Sequence, residues 1–301
     1  MNGSDYMSSK VKDILNTGKY QYPSFVKETI YEVITGSQAY GVSNENSDFD
    51  IYAVCVPPKH IVFPFTNGII SYFGNQGEKF EQYQQQHITF NTKDYDISVY
   101  SIVRYFQLCM ENNPNTIDTL FVPLNCILHK TVIGDMIRDN RKLFLHKGCW
   151  HKFKGYAYSH LHKCLTKNPE GKRLEIVNKY GFDVKFASHV IRLVDECEQI
   201  LLDGDIDLLK SKEHQKAIRK GEVPLEDIQK WFQEKEKHLE NLYNTSSLQH
   251  KPDENRLKTL LLNCLETYYG KLDYITYQGI NIQTELQKIT DAVNSIQSKI
   301  K

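Results

Sequence analysis

Two aspartates, Asp48 and Asp50, stand two residues apart in the stretch ITGSQAYGVSNENSDFDIYAV, which begins at Ile34. The segment DFDIYAVCV is rich in Ile, Tyr and Val and closes at Pro57-Pro58, so it predicts a β-strand. Residues i and i+2 of a strand point the same way, which puts Asp48 and Asp50 on one face and Phe49 and Ile51 on the other. Two carboxylates held that close repel, and one is driven toward its protonated form unless a cation lies between them. Mg²⁺, with Mn²⁺ as a substitute, suits such a place because it takes one or two carboxylates together with substrate phosphates. The phosphates have a seat as well. Gly36 permits unusual backbone angles and close approach, the turn after it offers N–H groups to an anion, and the Ser37 hydroxyl adds a donor. Tyr40 and Ser47, within the same stretch, join Gly36 and Ser37 as candidate nucleotide contacts. A third carboxylate completes a site that holds two ions for in-line displacement at a nucleoside triphosphate. Asp96 in DYDISVY is the first choice and Asp94, of the same parity, the second. Asp48 and Asp50 would bridge both ions. Asp96 would hold one and take the proton of the attacking hydroxyl.

These side chains need a sheet to carry them. Residues 24–33 read as the start of a helix leading into the run Ile30 to Thr35, which Gly36-Ser37 breaks. Asn44 to Ser47 reads as a turn, and the Gly- and Gln-rich stretch 67–87 as a loop or hairpin. HITFNTKDYDISVY, 87–100, alternates and predicts one or two strands. SIVRYFQLCMEN follows as an amphipathic helix with Ile102, Val103, Phe106 and Met110 on one side, stopped by NNPN at 112–115. Beyond about residue 130 the pattern is helical almost throughout. It is clearest in 183–204, where Phe186, Val190, Leu193, Cys197, Ile200 and Leu201 form a stripe ending at Gly204. The expectation is an α+β chain in two parts, residues 1–130 around a small mixed sheet and 131–301 all helical.

GSQAYGVSNENSDFD resembles the signature of the DNA polymerase β-like nucleotidyltransferases, Gly-Ser followed after ten to a dozen residues by Asp-x-Asp. More closely, the chain resembles the predicted nucleotidyltransferase family associated with RNA repair and RNA-ligase operons. Three blocks carry this: GSQAYG…SDFDIYAVCVPP, DISVYSIVRYFQLCMENNPNTIDTLF and NKYGFDVKFASHVIRLVDECEQILLDGDI. The resemblance implies a polymerase β-like palm closed by a helical lobe. It implies Mg²⁺-dependent transfer of a nucleoside monophosphate, from ATP or another NTP, to an acceptor hydroxyl with release of pyrophosphate. The preferred acceptor is RNA, a tRNA-like 3′ end. The alternatives are the same transfer to a protein or small-molecule hydroxyl, and an inactive nucleotide-binding module. Two departures bear on substrate choice. Tyr52 stands where family members often carry Arg, and Lys185-Phe186-Ala187 stands where Lys-His-Ala is expected.

Within the third block Lys185, His189, Arg192 and Glu196 follow at steps of four, three and four, a polar stripe beside the apolar one. The resemblance turns this face to the nucleotide cleft, with Lys185 and Arg192 on phosphates and His189 as a hydrogen-bond partner. An ordinary solvated face fits the same spacing. Formal net charge is zero, but residues 141–192 hold twelve Lys/Arg against Glu170, Glu175 and Asp183, a local excess of nine. That suits RNA, or only a lysine-rich helical surface. KGCWHKFKGYAYSHLHKCL, 147–165, suits single-stranded nucleic acid, or a helix with its aromatics turned inward. His160, His162 and Cys164 do not share one helical face, so no zinc site is expected. Asp203, Asp205 and Asp207 imitate a calcium loop but lack its Gly and final Glu, having Leu208 and His214 there. Ile282, Leu286, Ile289, Val293, Ile296 and Ile300 trace a short coiled-coil seam; a terminal helix docked on its own domain is preferred to a helix-mediated oligomer over 282–300. No apolar run spans a membrane, MNGSDYMSSK lacks the apolar core of a signal peptide, and seven scattered cysteines without a CxxC pair fit a cytoplasmic protein.

Overall fold

The computed structural model describes residues 8–45, 47–70, 72–166, 169–272 and 289–291. Five strands, β1 (Thr29–Ile34), β2 (Phe49–Cys55), β3 (Gln82–Phe90), β4 (Lys93–Ser101) and β5 (Ile127–Lys130), form one sheet in the order β3-β4-β2-β1-β5. β2 and β4 run parallel and the other neighbours antiparallel, the mixed sheet of an α+β chain. Helices α1 (Lys10–Leu15), α2 (Gly36–Ala39), α3 (Lys59–Val62), α4 (Ile102–Met110), α5 (Pro114–Phe121) and α6 (Val132–Asp139) are placed among and just after the strands. The rest is helical: α7 (Cys149–Thr166), α8 (Lys172–Tyr180), α9 (Val184–Asp203), α10 (Lys212–Arg219), α11 (Leu225–Thr245) and α12 (Glu254–Tyr269). Among the described residues no helix is long and apolar enough to cross a membrane.

The alternation read over 87–100 resolves into a hairpin. Asn91 and Thr92 both take positive φ (47° and 65°), the backbone twist that a two-residue turn between antiparallel strands requires. On one face of the sheet, Ile51 and Ala53 of β2 pack with Ile97 and Val99 of β4 beneath Val11, Ile14 and Leu15 of α1. The opposite face begins a second core that passes from Val54 and Tyr100 through α4 and α5 to α9 and α12. That core crosses residue 130 without a break: Phe106 meets Phe144 edge-on at 5.3 Å, and Arg138 Nη1 donates to the Tyr31 hydroxyl at 3.1 Å. NNPN both ends and begins a helix. Asn112 takes φ 50° and donates to Phe144 O at 2.9 Å, while Asn113 caps α5 with Pro114 in its first turn. Asp183 caps α9, and Gly204 ends it in the left-handed region.

Two elements differ from the sequence reading. Residues 24–33 hold only a 3₁₀ turn, Ser24–Lys27, before β1, because Ile30, Tyr31 and Val33 are buried against other strands and tertiary packing outweighs local helix preference. β5 is four residues at a sheet edge, too short to show alternation. The seam from Ile282 to Ile300 lies outside the described residues except for 289–291.

α1 is fastened by one buried acid. Glu32 of β1 is fully buried and accepts from the backbone N–H groups of Lys10 (2.8 Å) and Val11 (3.2 Å) and from the hydroxyls of Ser9 and Thr29. Removing such an acceptor strands its donors, so Glu32→Ala should lower unfolding free energy by about 3 kcal/mol in urea titration, and Glu32→Gln by less.

Candidate active site

The parallel register sets Asp50 of β2 directly beside Asp96 of β4. Both lie on the sheet face that the helices cover, and Asp48 precedes β2 by one residue with an exposed side chain. Burial pushes the Asp50 carboxyl up from its ordinary value to about 6, and the negative charges of Asp96 and then Asp48 push the same way, with Lys185 opposing. The three acids therefore share one electrostatic site, and Lys185 is its counter-charge. Asp96 rather than Asp94 faces Asp50. Asp94 is exposed near the hairpin turn and accepts from the Thr89 hydroxyl at 2.8 Å, whereas Asp96 accepts from the His87 N–H at 2.8 Å. That N–H is aimed by a bulge where the β3–β4 register shifts between Gln85 and Ile88, with His87 at φ 56°.

Gly36 is demanded twice. Its φ is 63°, and a Cβ there would collide with an Asp50 carboxylate oxygen. The backbone at the head of α2 thus lies against the Asp50 side chain, and Thr35 N–H donates to Asp50 O at 2.8 Å to hold it there. Ser37 is next in line and part-buried; its carbonyl accepts from Val42 N–H at 2.9 Å. Ser47 closes the turn before Asp48, its hydroxyl accepting from Asn44 N–H at 2.9 Å.

Lys185, in the first turn of α9, is exposed, and its charge acts on Asp50 and Asp48. Partial desolvation lowers its pKa, with Arg173 and Arg219 adding to the effect. The stripe turns inward beyond it. Arg192 is 3% exposed, pairs with Asp118 of α5 and Glu196, and covers the Tyr40 ring at 4.6 Å; the Tyr40 hydroxyl donates to Asp118 at 2.6 Å. The expectation that Arg192 and Tyr40 contact the nucleotide is therefore corrected: both are sealed into an internal cluster whose anions already take the guanidinium charge. Burial raises the Glu196 carboxyl far above its ordinary value, with the Arg192 guanidinium opposing the shift. His189, one turn past Lys185, lies against the His160 ring at 5.2 Å; burial, reinforced by Arg192, keeps both imidazoles neutral, His160 falling to about 4. Sequence reading missed Asp118, although an acid set among Ile117, Leu120 and Phe121 of one short helix is itself a signal. It also missed Arg219, whose Nε donates to Ser188 Oγ (3.1 Å) and Nη1 to Val42 O (3.3 Å), a link between distant segments with no local trace.

The donor set of Asp48, Asp50 and Asp96 suits a hard divalent cation in kind, since all are oxygen ligands and their mutual repulsion is what such an ion relieves. They are not drawn in to coordination distance: among the described residues no three Asp, Glu, His or Cys side chains converge to grip an ion. The basic stretch 141–192 proves partly neutralised. Lys142 pairs with Asp205, Lys152 with Glu111, Lys154 with Glu236 and Arg173 with Asp183. Its aromatics Trp150 and Phe153 are buried, as in a helix with its rings turned inward, while Tyr158 stays partly exposed.

A family model described as the RNA repair pathway DNA polymerase beta family (RlaP) matches residues 7–241. Among solved structures, a nucleotidyltransferase-like protein from Exiguobacterium sibiricum 255-15 is 10% identical, with 86% of this chain and 73% of that chain covered and a TM-score of 0.30. No curated protein matches.

The raised Asp50 pKa has a fixed sign for stability. Between its unfolded value near 4 and its folded value of about 6 the folded state binds more protons, so stability falls as pH rises through that window. Asp50→Asn removes the ionised group and should raise stability at pH 7.5 by about 1–3 kcal/mol, seen as a higher Tm, with no such gain at pH 4. Arg192→Met leaves Asp118 buried without its cation and should cost about 3–5 kcal/mol in chemical denaturation.

Proposed function

The chain belongs to the RNA repair pathway DNA polymerase beta family and is a nucleotidyltransferase; from that premise we propose that it transfers a nucleoside monophosphate from an NTP to a hydroxyl of RNA, preferentially a tRNA-like 3′ end, in the cytoplasm. The observation that carries this reading is the register pairing of Asp50 with Asp96, with the Gly36 backbone laid on the Asp50 carboxylate and Lys185 acting across the gap. The acceptor oxygen forms a bond to the α-phosphorus, and the bond from that phosphorus to the bridging oxygen breaks, so pyrophosphate leaves with the electron pair. Asp96, steadied by the His87 N–H, takes the hydroxyl proton. Lys185 binds the triphosphate from the α9 side. The Gly36–Ser37 backbone and the Ser37 hydroxyl approach it from the sheet side. Asp48, Asp50 and Asp96 would hold two Mg²⁺ ions, or Mn²⁺, which supply charge neutralisation at the phosphates when bound. Residues beyond 130 form the lobe that selects the acceptor. Seven buried free thiols accord with a reducing compartment.

Incubating the protein with labelled ATP, CTP, GTP and UTP, Mg²⁺, and either total RNA or total protein separates the acceptors. Label in RNA, lost with EDTA or in Asp48→Asn and Asp96→Asn, is the expected result; label confined to protein, or none, ends the RNA reading. Lys185→Ala should raise the KM for NTP by about 10-fold or more, the worth of one charge-assisted contact, with little change in Tm.

A further inference from the structure

On Lys185 opens a cavity of about 520 Å³ whose other lining residues the transfer chemistry does not use. It is framed by Val42–Asn44 after the Gly-Ser turn, by α8, by the first turn of α9 and by α10. Lys179, Lys185, Lys216, Arg219 and Lys220 line it, against the single acid Glu175. Lys216 and Lys220 make exposed pairs with Glu213 (3.2 Å) and Glu222 (3.7 Å), which offset little of their charge. Among the described residues no carboxylate lies within ion-pair distance of Lys179, Lys185 or Arg219.

Two features show that this cavity is built rather than incidental. Arg219 is part-buried, and its bonds to Ser188 and Val42 hold it in place while using two of its five N–H groups. A pinned, part-buried cation facing a basic cavity is a costly arrangement unless an anion completes it. On the other wall Tyr180 lies against Gly221, where φ is 75° and where a Cβ would strike the ring. Gly221 therefore lets a flat aromatic surface stand beside the cations, with Lys179 at 4.8 Å from that ring. Phosphate-binding cations next to an aromatic plane match one nucleotide of a single strand. The volume lies within the roughly 300–1,000 Å³ of pockets that hold such ligands.

Resting on the transfer reading above, we propose that this cavity is the acceptor subsite, which takes a backbone phosphate and the adjoining base of a single-stranded oligonucleotide and presents its hydroxyl to the carboxylates. Lys185, shared by both spaces, marks the junction between NTP and acceptor. The cations that recognise the acceptor are Lys179, Lys216, Arg219 and Lys220, and Tyr180 stacks on its base.

The test measures binding, so it does not depend on turnover. Anisotropy of a 5′-fluorescein 12-nucleotide RNA would be titrated with the full-length chain and with K216E/K220E, alongside a fluorescent NTP analogue. The expected result is a Kd for RNA raised about 10-fold or more. The salt slope should fall by about 1 to 1.5, corresponding to two lost contacts at roughly 0.7 each, while NTP affinity and Tm stay unchanged. Tyr180→Ala should weaken RNA binding about 10-fold, and Tyr180→Phe should not. Loss of NTP affinity with intact RNA binding would assign the cavity to the triphosphate and overturn the proposal. RNA binding that is absent in wild type, or indifferent to the charge reversal, overturns it equally. RNA binding that depends on Lys216 and Lys220 without any nucleotide incorporation would leave the subsite standing and remove the transfer reading instead.

Discussion

The carboxylate of Asp50 lies against a stretch of backbone that tolerates no side chain. Around that contact the surrounding architecture is arranged. Gly36 must be glycine for it, Thr35 is bonded to the Asp50 carbonyl to maintain it, and the parallel register of β2 with β4 brings Asp96 to the same level. The cost is visible in the elevated pKa of Asp50: an anion has been desolvated and set among other anions. A fold optimised only for stability would not do this. The apolar cores on the two faces of the sheet supply the rigidity that keeps the unfavourable grouping from relaxing.

The second internal electrostatic feature works the other way. Arg192, Asp118, Glu196 and Tyr40 form a sealed group in which acids are paired with a cation rather than set among other acids. It joins three parts of the chain: the residue that ends α2, the middle of α5, and the middle of α9. Since α2 begins at Gly36 and α9 begins beside Lys185, the cluster fixes the spacing between the Gly36 turn and the start of α9. A buried ion group of this kind adds little net stability compared with apolar packing, but it is unforgiving of misplacement, and that suits a role in alignment. His189 and His160 extend the packing toward Lys185 as uncharged rings.

What could be read from the chain alone was what depends on neighbours in sequence. The i, i+2 spacing of Asp48 and Asp50, the Gly-Ser turn, the strand and hairpin around Asp96, and the α9 stripe with its Asp and Gly caps all rest on local periodicity and turn chemistry. The choice between Asp94 and Asp96 was not decided by parity, because a bulge in the partner strand singles out Asp96. Arg192 read as a cation for phosphate because its partner Asp118 is 74 positions away and belongs to another helix. The charge excess over 141–192 fitted a surface for polyanions or a plain lysine-rich face, and Glu111, Asp205 and Glu236 come in from outside the segment to offset part of it. The membership of the basic cavity, drawn from a loop and three helices, has no linear signature at all.

The kink in β3 has a further consequence. β3 is the outer strand of the sheet, nine residues long, largely exposed, and its first half reads Gln82-Tyr83-Gln84-Gln85-Gln86. A long glutamine-rich edge strand is in general a template on which another copy could add itself, as growing fibrils do. The register shift at Gln85–Ile88 breaks that edge in the middle, so an incoming chain finds no long straight ladder to follow. One irregularity thus serves two purposes, orienting an acid at the centre of the sheet and discouraging self-association at its border.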